Sequence, residues 1–217
     1  MLLQAVIVPP RAVLDAVALV VQSANGVAVA APSQPAKGGF LRRRGNPEVA
    51  AAQSAEPADE ELDLIPSERM HLPVAGFGNV AREDAVALAD ALRTAAAGWA
   101  CPTVQLAGGG ALEFPEDRSV WAKLDGDIEA LATVANGVAQ SVSRRGFFVD
   151  RRAFRPWLSV ATITKSTTAP HLENVVAALD AFRGEAWTIE WISLIKPSFE
   201  AGVAVSKELY QIPLGPS

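Results

Sequence analysis

Two short segments of this chain repeat one another, and that repetition limits the folds open to it. Met70-His71-Leu72-Pro73-Val74-Ala75 and Pro156-Trp157-Leu158-Ser159-Val160-Ala161 carry apolar residues at matching alternate positions, Leu72 and Val74 in one, Leu158 and Val160 in the other. On a strand these residues share a face, so His71 and Pro73 in the first segment, and Trp157 and Ser159 in the second, share the opposite face. Each segment is followed by a connection and a helical pattern, which suggests an internal duplication.

The rest of the chain is consistent with an α+β fold. A strand at Gln4 to Val8 ends at Pro9-Pro10, and Val13, Leu14, Val17, Val20 and Val21 recur at helical spacing over Arg11 to Ser23. Residues 32–63 change to Pro, Gly, Ser, Ala and charge, with Arg42-Arg43-Arg44 and Asp59-Glu60-Glu61, and are expected to form a long mobile loop inserted in the domain. Met70 to Phe77 reads as a strand, and Arg82 to Ala97 as a helix with Val86, Leu88, Ala89, Leu92 and Ala96 on its apolar side. Strands are predicted at Thr103 to Leu106 and Val120 to Leu124, separated by a glycine turn at Gly108-Gly109-Gly110. A helix over Asp127 to Ser141, a strand at Trp157 to Ile163, a helix from near Leu172 and strands at Trp187 to Ile195 and Leu209 to Leu214 complete the pattern. Short turns between several strands make the sheets partly antiparallel, and 217 residues suit one domain.

Composition narrows the chemistry. With 19 Lys and Arg against 24 Asp and Glu the net charge is −5, so no global positive field draws nucleic acid or an acidic membrane, and any polyanion site must be local. One cysteine, Cys101, excludes an internal disulfide and a Cys-rich zinc cage, and two histidines exclude an all-histidine zinc site. No metal or organic cofactor is implied. No apolar run approaches the roughly twenty residues that span a bilayer. The stretch after Arg11 loosely imitates a signal peptide, but Pro9-Pro10 and Asp15 spoil it, so the expected location is cytoplasmic.

The motifs and their surroundings resemble the two-histidine phosphoesterases, the superfamily of the bacterial RNA 2'-5' ligases and cyclic phosphodiesterases. The resemblance rests on Ala5-Val6-Ile7-Val8-Pro9-Pro10, on Ile65 to Leu72, on Phe77-Gly78-Asn79-Val80 and on Arg151 to Pro156, and it covers nearly the whole chain. It implies a bilobal duplicated fold, with two mainly antiparallel sheets lining a central groove and the helices outside. The family carries two H-x-T or H-x-S motifs on facing strands, one histidine taking a proton and the other donating one to the departing ribose oxygen. Here the motifs stand as His71-Leu72-Pro73 and Trp157-Leu158-Ser159, so only His71 and Ser159 survive.

The resemblance thus implies action on, or binding of, 2',3'-cyclic or terminal phosphates of nucleotides or RNA by a catalytically impaired monomer. His71 is the candidate catalytic residue, and Ser159 and Arg155 are the candidate phosphate ligands. Trp157 is the candidate stacking platform, although a tryptophan on an apolar strand also serves as core filling. Arg144, Arg145, Arg151, Arg152 and Arg155 against Asp150 form a local +4 cluster that suits phosphate or, equally, a solvated loop. Two other readings stay open: a module that binds a nucleotide or RNA end without turnover, and a scaffold with a filled groove. Gly76-Phe77-Gly78-Asn79-Val80-Ala81 also fits the dinucleotide fingerprint G-x-G-x-x-A, but Pro73 in the preceding strand and the missing acidic residue about twenty positions on count against it. His171, beside Ala169-Pro170, reads as an ordinary residue near a helix start.

Overall fold

Alternating and helical burial patterns resolve into nine strands and four helices among the residues described by a computed structural model, 1–26, 62–114, 117–150, 153–200 and 203–215. The strands are β1 (Leu2–Ile7), β2 (Leu62–Leu64), β3 (Leu72–Asn79), β4 (Thr103–Phe114), β5 (Asp117–Gly126), β6 (Trp157–Ile163), β7 (Trp187–Thr188), β8 (Trp191–Glu200) and β9 (Val203–Pro213). The helices are α1 (Arg11–Asn25), α2 (Arg82–Ala96), α3 (Ile128–Ser143) and α4 (Ala169–Ala181). One sheet has the order β3-β1-β8-β9 and the other β2-β6-β5-β4-β7, with every pairing antiparallel. The class is α+β.

The two halves share one path. After β1, helix α1 crosses to the second lobe and packs on α4 and β6; β3 then returns to pair with β1, and α2 covers the first lobe beside β9. After β5, helix α3 crosses to the first lobe and packs on α2 and β3; β6 returns to pair with β5, and α4 covers β4. Each lobe is therefore completed by a helix from the other half.

The register repeats as well. Ala5 pairs with Ala75 and Val6 with Pro73, leaving Val74 as the extra residue of a bulge; Val120 pairs with Ala161 and Trp121 with Ser159, leaving Val160 as the extra residue. The bulges fall at the same place in the two matched segments, so Pro73 is equivalent to Ser159 and His71 to Trp157. Pro73 is tolerated because β3 is an edge strand and the bulge follows directly, so no central ladder loses a donor.

The core lies between the sheets and their helices. Leu72, Leu158, Phe77, Leu88, Leu124, Leu131 and Leu179 are all within 1% of complete burial, each worth about 1.5–3 kcal/mol relative to exposure.

Several expectations need correction. The triplet Gly108-Gly109-Gly110 is no turn: it lies inside β4, which runs on to Phe114. The register shifts between Leu106 and Gly109, and Gly108 has φ +98°, a bulge conformation that favours glycine. A side chain at Gly109 would strike Leu179 of α4, and one at Gly110 would strike the Trp121 indole, so these glycines mark close approaches rather than a chain reversal. Val86 is half exposed, and the buried side of α2 is Ala85, Leu88, Ala89, Ala91, Leu92 and Ala96. The single strand expected at Trp187 to Ile195 is two, β7 in the second sheet and β8 in the first, because the chain changes lobes between them. Leu62 and Asp63, placed in the long loop, pair with β6 instead. The remainder of that loop, with its two charged runs, lies outside the described residues.

The G-x-G-x-x-A match has another explanation. Its glycines sit within edge strand β3, where Asp150 donates its backbone N–H to the Gly76 carbonyl (2.8 Å) and Phe148 lies on Gly78. The glycines let the segment before β6 lie against the strand.

Candidate functional site

Between the two sheets runs a groove of about 810 Å³, lined from the first lobe by Gln4, Pro73, Ala75 and Gly76 and from the second by Ser119, Trp157 and Ser159. Asp117 and the segment carrying Asp150, Phe154 and Arg155 close one side. The volume lies within the range of small-molecule sites and accommodates a mononucleotide.

Of the residues expected to form a site, Ser159, Arg155 and Trp157 come together here. Trp157 stacks on Trp121 with ring centroids 4.5 Å apart and planes 20° apart, and the Arg155 guanidinium lies 4.8 Å over the Trp157 ring. Trp157 thus contacts both Trp121 and Arg155. The Trp121 ring in turn occupies the space that Gly110 leaves open on β4. Gly110, Trp121, Trp157 and Arg155 form one contiguous cluster that includes a cation.

Asp117 orients two groups at once. Its carboxylate accepts from the Ser119 hydroxyl (2.7 Å) and from an Arg155 Nη (3.3 Å). The other guanidinium N–H groups of Arg155 have no partner among the described residues. The sequence did not single out Ser119, Asp117 or Trp121. The first and third lie two apart on β5 and share a face with Ser159, but only the pairing register discloses it.

His71 is set apart. It immediately precedes β3, half-buried, and it is not among the residues that line the groove. Burial holds its pKa below the ordinary value of 6.5, opposed by a hydrogen bond from the ring to the Arg69 backbone carbonyl. The residues before it form a 3-10 turn, Ser67–Arg69, anchored to α1: Arg11 bridges Asp15 (3.0 Å) and Glu68 (2.7 Å), and Ser67 Oγ donates to Asp15 (3.0 Å). The Arg11 pair holds the Glu68 carboxyl below its usual range, but these ions are exposed and contribute little stability.

His71 binds its proton less tightly in the native state than in the unfolded chain. Below about 6.5 the unfolded state therefore takes up more protons, and stability falls as pH drops through that value, levelling once the native imidazole is also protonated. Denaturant unfolding at pH 7.5 and 5.5 will show this loss, and His71→Gln will reduce it; an unchanged slope would exclude His71 as its source.

Of the remaining candidates, Arg144 and Arg145 are exposed at the end of α3 away from the groove lining, and Arg151 and Arg152 lie outside the described residues. His171 is buried in the first turn of α4, its Nε2 2.9 Å from Asn25 Oδ1. Among the described residues no cluster of His, Cys, Asp and Glu has a metal-holding arrangement, and no helix is long and apolar enough to cross a membrane.

No protein-family model and no curated protein sequence matches this chain. Solved structures do. E. coli LigT complexed with 3'-AMP superposes with a TM-score of 0.65 at 16% identity, over 98% of this chain and 97% of that one. A structure described as a phosphoesterase follows at 0.62 and 17% identity, over 98% and 97%. The protein TT0787 of Thermus thermophilus superposes at 0.60 and 18%, over the full length of both chains. At such identities the likeness carries architecture alone, and that architecture, two antiparallel sheets facing across a groove, is the fold this chain shares with LigT and that phosphoesterase.

Proposed function

We propose that the groove binds the 2',3'-cyclic or terminal phosphate of a nucleotide or RNA end, and that turnover there is impaired. The observation that carries this reading is the second wall, where the Ser159 hydroxyl and the Arg155 guanidinium, held over Trp157 by Asp117, line the same open groove. A guanidinium with N–H groups to spare beside a hydroxyl is a fitting set of phosphate donors. Solved structures of the same fold hold 3'-AMP and phosphate in LigT, which supports the ligand class without fixing it. The volume left by the described side chains weighs against the filled-groove reading.

The residues equivalent by register support the reading of impairment. Hydrolysis of a cyclic phosphate needs a base to take the proton of the attacking water as the new P–O bond forms, and an acid to protonate the ribose oxygen as its P–O bond breaks. His71, whose pKa burial lowers, is poorly suited to give a proton to a leaving group, and it does not line the groove. Its counterpart is Trp157, whose indole does not exchange a proton in this range. Pro73, in the place of the first hydroxyl, donates nothing.

Calorimetric titration of a 2',3'-cyclic nucleotide into the wild type, Arg155→Ala and Ser159→Ala tests the reading. Loss of a charged hydrogen bond should weaken binding by roughly tenfold or more for Arg155→Ala, with a smaller loss for Ser159→Ala. Equal affinity in all three proteins would remove this wall from the site.

A further inference from the structure

The repeat that matches Pro73 with Ser159 also matches the two central strands. Counting from the bulges, Gln4, paired with Gly76, is equivalent to Ser119, paired with Thr162. Both line the groove, one from each lobe, and each is the polar residue next to a buried one, Ala5 or Val120. Their present engagements differ. Ser119 donates to Asp117 and so belongs to the system that holds Arg155. The Gln4 carboxamide is half-buried and has no hydrogen-bond partner among the described residues.

We propose, resting on the reading above, that the groove binds its ligand with fixed polarity: the phosphate on the Ser159 and Arg155 wall, and the base edge on the opposite wall, read by Gln4. Three observations support this division. The second wall holds the only cation among the described groove-lining residues. Its Trp157 ring is already engaged by Trp121 and by Arg155, which leaves a base less stacking surface there. The first wall is low in relief around Gln4, with Gly76 directly opposite in the ladder and Ala75 and Pro73 beside it, leaving space for a flat ring. A carboxamide presents a donor and an acceptor side by side, the complement of the N6 and N7 edge of adenine. The ligand class is therefore an adenine nucleotide with a 2',3'-cyclic or 3'-terminal phosphate, and Gln4 is a specificity-determining residue.

The test measures affinity for three probes, 2',3'-cyclic AMP, 2',3'-cyclic UMP and inorganic phosphate, in the wild type, Gln4→Met and Gln4→Glu. Methionine keeps the length of the side chain without its polar edge, and glutamate keeps the shape but loses the donor. The wild type should prefer cyclic AMP to cyclic UMP. Both variants should lose about tenfold in affinity for cyclic AMP, the scale of one bidentate base contact, with phosphate unchanged. Should one variant fail to fold by circular dichroism, the other decides. A wild type that binds all three probes while both variants keep its preference overturns the assignment of Gln4 and leaves the phosphate wall standing. Equal losses for all probes, phosphate included, also overturn it, since Gln4 would then shape the groove as a whole. A wild type that binds none of the probes overturns both this inference and the function on which it rests.

Discussion

Gly109→Val will destabilise the protein by about 3 kcal/mol or more, the upper range for forcing atoms into a packed interior, and lower its melting temperature by roughly 6–12 °C for a chain of this size. A Cβ at this position meets Leu179 Cβ on α4 and stands 3.2 Å from the Val176 carbonyl oxygen. Neither is the free end of a flexible side chain, so relief requires α4 to move off the second sheet. The Gly109 N–H also donates to Asp180 of α4 (2.9 Å), and that bond would be lost as the helix withdrew. The matched control is Gly146→Ala. Gly146 has φ +83° but nothing within 4 Å of the added carbon, so only the left-handed backbone is charged, about 1–2 kcal/mol. Thermal and denaturant unfolding of the pair separates packing from backbone strain. A Gly109→Val protein as stable as the control would mean that α4 does not press on β4.

The second large effect is a gain. Trp157→His puts an imidazole at the position equivalent to His71 and restores the acid that the proposed chemistry lacks. General acid catalysis is typically worth 100- to 10,000-fold, and the rate of 2',3'-cyclic nucleotide hydrolysis should rise by at least about 100-fold. The substitution also removes the Trp121 stack and the support beneath Arg155, so stability will fall by about 0.5–1.5 kcal/mol beyond the lost area. Single-turnover rates at saturating nucleotide keep that loss from masking the gain. No increase in a folded, ligand-binding Trp157→His protein would mean that something other than the absent imidazole limits the chemistry.

The matched strands were legible because alternation needs no tertiary information. Leu72 and Val74, like Leu158 and Val160, face one way by the geometry of the strand alone, and Pro73 already hinted at an edge or a bulge. What escaped the sequence depends on contact between elements. Gly108-Gly109-Gly110 carries the same letters as a turn, and only the proximity of Leu179 and Trp121 shows why side chains are excluded there. Val86 has the spacing of a core residue but sits at the rim of the apolar stripe of α2, where burial is decided by the neighbouring elements. Gln4 and Ser119 are ordinary polar residues until the register makes them equivalent, because a one-residue slip would turn each to the other face. His71 matched its motif, but the sequence could not show that its ring is half-buried against the Arg69 carbonyl, outside the groove lining.

The central claim is that one ligand touches both sheets at once. The most direct measurement is an NMR titration of the 15N-labelled protein with a 2',3'-cyclic nucleotide, following the Gln4, Ala75 and Gly76 amides of the first lobe together with the Trp157 and Ser159 amides of the second. The account predicts that both groups shift together along one saturation curve. Shifts confined to one lobe, or centred away from the groove, would contradict it.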